Sequence, residues 1–121
     1  MTSFGFVMPV LEKDAHWFAG CLRAVAAMVP RPEQVVVVAN GPRPYTELHR
    51  LMETWTWNLE FKDGRPCGTK VAYIEHSALR GSIPLPAAIN AGLRICPTEW
   101  CAMLSADDAP LPYYYADLLD A

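Results

Sequence analysis

Charge is scarce in this chain. Only 19% of its 121 residues are charged, with Lys plus Arg at 10 against 13 for Asp plus Glu. A formal net charge of −3 excludes the basic surface that coating a nucleic acid or an anionic membrane requires. Long apolar runs are missing as well. Uncharged stretches such as Thr2 to Leu11 fall well short of the ~20 residues of a membrane span. No basic segment leads into an apolar stretch with a small-residue cleavage site, so no secretory signal is expected and the cytoplasm is the expected compartment. The phosphate-cradling patterns G-x-x-x-x-G-K-[ST] and G-x-G-x-x-G are both absent. The four cysteines, Cys21, Cys67, Cys96 and Cys101, form no C-x-x-C pair, and no histidine stands at zinc-finger spacing from them. They are expected to be reduced thiols without a shared function. His16, His49 and His76 are scattered and show no nucleophile–base pattern. The first two are expected on solvated helix faces and the third in an exposed loop.

What remains is ample apolar content. At 52% hydrophobic the chain has enough for a core, and its length suits one domain, 1–121, by the usual ~100–200 residues per domain. The 11 prolines cluster at 30–32, 42–44, 84–86 and 110–112, where they punctuate the chain. Phe4 to Val10 is a short, nearly continuous apolar run, as in a strand covered on both faces. Asp14 can cap the helix that follows, with Trp17, Cys21, Leu22, Val25, Met28 and Val29 as its apolar stripe. Gln34 to Ala39 holds four consecutive valines and reads as a strand, closed by the turn Asn40-Gly41-Pro42. A helix over Tyr45 to Trp55, a short strand over Asn58 to Lys62, a turn at Asp63-Gly64 and a strand over Val71 to Glu75 follow. Pro86 to Ile95 reads as a helix, Glu99 to Leu104 as a strand and Pro112 to Leu119 as a last helix.

The order β-α-β-α-β-α-β-α implies an α/β fold, a three-layer sandwich with a mainly parallel sheet. Ligands in such sheets bind beyond the carboxyl ends of the strands, where strand order reverses. That rule selects Pro9–Lys13, Ala39–Pro42, the loop around His76–Ser82 and Ser105–Ala109 as site walls. Within the last of these, Ser105 and Asp107 share a face of extended chain. Carboxylates at a strand end suit a hard cation, Mg²⁺ or Mn²⁺. An Asp before a helix is equally a common N-cap, so both roles stand open for Asp107 and Asp108.

The ordered set of segments resembles the family 2 glycosyltransferases of the GT-A fold. Phe6-Val7-Met8-Pro9-Val10 resembles their opening strand, V-I-I-P-V-Y-N. Cys21-Leu22-Arg23-Ala24-Val25 is similar to C-L-x-S-V, and Glu33 to Val38 to E-I-I-V-V. Pro86 to Leu93 resembles A-A-R-N-A-G-L, and Glu99 to Asp108 resembles E-W-I-A-F-L-D-A-D-D. The resemblance implies the nucleotide-sugar-binding portion of such a transferase, a GT-A/Rossmann-like half-domain. Pro9, Val10, Leu11, Glu12, Asn40 and Asn90 would line the donor pocket. Asp107 would hold Mn²⁺ or Mg²⁺, and Asp108 would assist through water or cap the helix. The implied partner is a nucleotide-sugar donor, and the implied chemistry is hexosyl transfer.

Three positions depart from the family pattern: Ser105 replaces the first Asp of D-x-D, Ala39-Asn40-Gly41 replaces acidic residues, and Ile89 replaces Arg. The chain also stops one helix after the Asp pair, and no residue stands out as a general base. A truncated donor-binding domain is therefore expected, with transfer doubtful alone. The rival expectation is a non-catalytic α/β module kept for binding or assembly. A homodimer built around the strand Glu99–Leu104 or the helix after it is expected, or else a second chain supplying the other half.

Overall fold

The computed structural model describes residues 3–76, 85–113 and 116–117. Four parallel strands form the central sheet: β1 (Phe4–Leu11), β2 (Gln34–Asn40), β5 (Lys70–His76) and β6 (Trp100–Met103). Their spatial order is β5-β2-β1-β6. β2 and then β5 add to one side of β1, and β6 returns to its other side, so strand order reverses between β1 and β6. The expected α/β class and mainly parallel sheet are what the chain adopts.

The continuous apolar runs have the reason given for them. Phe6, Met8 and Val10 of β1 and Val35, Val37 and Ala39 of β2 belong to one buried cluster with α1 (Ala15–Ala26) and α2 (Thr46–Glu60). Val7, Val36 and Val38 point the other way, into a second cluster with Ala88 of α3 (Leu85–Ile95). Alternate side chains of each strand thus enter opposite cores, and a polar residue has no exposed face to occupy. Close approach of α3 depends on Gly92. A Cβ there would overlap Val7 Cγ1 and stand 3.1 Å from Val38 Cγ2.

Some expectations need correction. The core stripe of α1 is Ala15, Phe18, Cys21, Leu22 and Val25; Trp17 and Val29 are exposed. The strand expected over 58–62 is only β3 (Phe61–Lys62), because α2 continues to Glu60. β3 pairs with β4 (Arg65–Pro66) through the two-residue turn Asp63-Gly64, both residues having positive φ, 54° and 78°, as a tight hairpin requires. α2 runs on because the Arg31 guanidinium donates to the carbonyls of Asn58 and Leu59, each at 3.0 Å, supplying cationic partners at the helix's C-terminal end. The cysteines are not all reduced: Cys96 and Cys101 form a disulfide between the end of α3 and β6, leaving Cys21 and Cys67 as thiols. Of the helix expected over Pro112 to Leu119, the described residues are 112–113, a turn, and 116–117, which are helical; the rest lies outside them. Among those described, no helix is long and apolar enough to cross a membrane.

Candidate functional site

A cleft of about 470 Å³ opens at the carboxyl end of the sheet. Pro9, Val10 and Leu11 reach it from the end of β1, Asn40 from the last position of β2, and Ser105, Ala106 and Asp107 from the segment after β6. Asp14 and Trp17 wall it from the start of α1, and Leu85 from the start of α3. This is the crevice that reversal of strand order creates.

Local bonds set the shape of each wall. Asn40 is buried and its Oδ1 accepts the Gly41 N–H at 2.7 Å. Gly41 has φ 88°, a left-handed conformation that glycine tolerates best, and its carbonyl receives the Tyr45 hydroxyl. Beyond β6, the Asp108 N–H donates to the Ser105 carbonyl and Asp108 Oδ2 accepts the Ser105 N–H, both at 3.0 Å. Those two bonds close a turn that leaves Asp107 facing the cleft. Behind it, the buried Cys21 thiol lies 3.7 Å from the Ser105 carbonyl oxygen. Burial, then the charges of Asp108 and Asp107, push that thiol up to about 12, so it stays protonated and unreactive.

Of the residues expected at the site, Pro9, Val10, Leu11, Asn40 and Asp107 meet in this one cleft. Ser105 and Asp107 share it, though not through the strand alternation expected of them: Ser105 to Asp108 form a turn rather than extended chain, and Ala106 between them lines the cleft too. Glu12, Asn90 and Asp108 are placed elsewhere. Glu12 turns to α2, its two oxygens accepting the Glu47 and Leu48 N–H groups at 2.8 and 2.9 Å. Asn90 is exposed on α3, outside the lining. One oxygen of Asp108 is engaged in the turn just described. Asp14 and Trp17 were not expected. Asp14 occupies the N-cap position of α1, yet its side chain makes no capping hydrogen bond.

Asp107 and Asp14 are hard oxygen donors of the kind Mn²⁺ and Mg²⁺ accept. Among the described residues, no group of three His, Cys, Asp or Glu side chains stands together to hold a metal. The donor set therefore fits a divalent ion only when the ligand's own oxygens complete its shell.

None of the histidines is among the cleft's described lining residues. His16 and His49 are exposed, as expected. Glu75 joins His49 to the sheet, its carboxylate also receiving the Tyr73 hydroxyl at 3.1 Å, with Arg43 at 3.6 Å. The hydrogen bond from His49 holds Glu75 below the usual carboxylate range. Burial and then the Glu75 charge raise the Tyr73 hydroxyl. His76 ends β5, half-buried rather than in an exposed loop, and its Nδ1 has no hydrogen-bond partner among the described residues.

No protein-family model matches the chain, and no curated protein does. Solved structures do match. S. aureus TarS superposes with a TM-score of 0.71 at 17% identity, covering 98% of this chain. Structures of TarS residues 1–349 with UDP and with UDP-GlcNAc match with the same score and identity. This chain spans 19% of the first of those chains and about 30% of the other two. At that identity the likeness is one of fold: the α/β arrangement that carries the cleft is also found in TarS.

Proposed function

We propose that the cleft binds the diphosphate and sugar of a nucleotide-sugar donor, in the manner of the family 2 GT-A transferases that the sequence resembles. One observation carries this reading: Asp107, Asn40 and the end of β1 meet at the switch point of the sheet. The TarS structures with UDP and UDP-GlcNAc add support from a protein of the same fold. Pro9, Val10 and Leu11 form the apolar floor, and Asn40 lines the nucleoside end as a neutral residue. Asp107 would hold Mn²⁺ or Mg²⁺ against the diphosphate, where a bound cation neutralises the charge that develops on a leaving phosphate. Asp108 keeps Asp107 in place through its turn.

Hexosyl transfer needs more than donor binding. A base must stand within hydrogen-bond reach of the acceptor hydroxyl, and no residue of the chain is assigned that role. The chain by itself is therefore expected to turn over donor no faster than slow hydrolysis. Ser105 at the first D-x-D position favours the second reading, a binding or assembly module that keeps the fold without transfer.

Calorimetric titration of UDP, GDP and their sugars, with and without Mn²⁺, tests the proposal. Mn²⁺ alone should bind in the millimolar range, about −4 kcal/mol, because Asp107 has the neutral Ser105 at the first D-x-D position and no group of three ligating side chains stands together among the described residues. Asp107→Asn should abolish that binding with the circular dichroism spectrum unchanged. Micromolar Mn²⁺ binding that survives the substitution would place the metal elsewhere. Rapid transfer to an added acceptor would overturn the donor-binding-only reading.

A further inference from the structure

We propose that Trp17 is the platform on which the ligand's hexopyranose ring lies, with Asp14 and Ser105 engaging its hydroxyls. This rests on the nucleotide-sugar reading of the cleft and assigns the residue that senses the sugar.

The indole of Trp17 is 59% exposed, although it sits on a helix whose inner face is filled by Phe18, Cys21, Leu22 and Val25. A lone exposed aromatic calls for no explanation. This one lines a concave site together with two carboxylates, a hydroxyl and a buried amide. The His16 ring lies against it, centroids 4.9 Å apart and planes tilted by 44°, which restricts the swing of the indole. The other exposed tryptophans do not line the cleft. Trp57 stacks on Phe61, centroids 4.3 Å apart, and Trp100 lies on β6.

Asp14 supplies the second observation. It stands where a capping residue belongs, makes no capping bond, and lines the same cleft. A pyranose has an apolar C–H face and a rim of hydroxyl groups. An indole face offers a flat apolar contact of large area, and ionised carboxylates accept O–H hydrogen bonds strongly. That pairing matches a neutral sugar better than a phosphate, which two carboxylates repel unless a cation intervenes.

The test is titration of the wild-type chain, Trp17→Ala and Trp17→Phe with UDP, UDP-glucose and methyl glucopyranoside in the presence of Mn²⁺. Trp57→Ala, outside the cleft, serves as the control, and circular dichroism checks folding. In the wild type, UDP-glucose should bind more tightly than UDP. Trp17→Ala should shrink that advantage about fivefold while UDP affinity stays within about twofold. Trp17→Phe should recover part of the loss. Equal weakening of UDP and UDP-glucose would overturn the assignment, since Trp17 would then contact the nucleotide. An unchanged preference in Trp17→Ala would overturn it too, with the donor-binding proposal intact. Should the wild type bind methyl glucopyranoside through Trp17 but no nucleotide, the platform stands and the donor reading falls. No binding of any probe would sink both.

Discussion

Glu12 leaves the end of β1 beside the cleft, but both its oxygens serve α2. They accept two of the N–H groups that a helix start leaves without intrahelical partners. No α2 residue does this: Tyr45, at the N-cap position, makes no side-chain capping bond. Glu12→Ala should therefore lower stability by about 1–2 kcal/mol, read as a lower urea midpoint with an unchanged m-value. Glu12→Gln, which keeps one acceptor oxygen, should lose about half as much. Local sequence could not show this bond, since donor and acceptor lie 35 residues apart. Asp107 was legible from its place just past a strand at the carboxyl end of the sheet; the alternation expected along the segment does not hold, because Ser105 to Asp108 turn. Trp17 was not, because Trp17 and Phe18 both fit a four- or three-residue step to Cys21. The available clue was that Ala15, Phe18, Leu22 and Val25 already complete the stripe, leaving Trp17 outside it.

At the scale of elements, two glycines in helices make opposite forecasts. Gly92 lets α3 settle onto β1 and β2, and an added Cβ would strike Val7 and Val38. Both valines are stiff at χ1 and fully packed, so Gly92→Ala should destabilise by about 1–3 kcal/mol through overpacking. Gly20 lies on the exposed side of α1, with nothing within 4 Å of an added Cβ. Gly20→Ala should stabilise by about 0.5–1 kcal/mol, since alanine has less backbone freedom to lose. Thermal melts of the two variants should move in opposite directions. Element type was readable wherever period and punctuation agreed, as in the valine run of β2. The end of α2 was not readable. Phe61 and Lys62 do form strand, but Asn58 to Glu60 remain helical with Arg31 holding carbonyls from a different loop.

At the scale of the molecule, β6 is an edge strand among the described residues. Its sequence, Trp100-Cys101-Ala102-Met103, has no charge or proline to discourage pairing. Trp100 and Met103 are 64% and 49% exposed. A two-fold homodimer through this strand is the expected assembly. Met103→Lys should weaken it more than Glu47→Lys on α2, as read by light scattering across a concentration series. A monomer at the highest concentration would remove the idea.

The register holds a further consequence. β6 meets β1 at four positions, whereas β1 and β2, like β2 and β5, meet at seven. Within the central sheet this shortest ladder is expected to open first in local unfolding, taking Ser105 and Asp107 with it. A ligand touching both Leu11 and Asp107 selects the zipped state, and so does a strand laid along the outer edge of β6. By thermodynamic linkage each then raises the affinity of the other by the same factor. Occupancy of the cleft and association at the edge become two handles on one equilibrium, the fraying of β6.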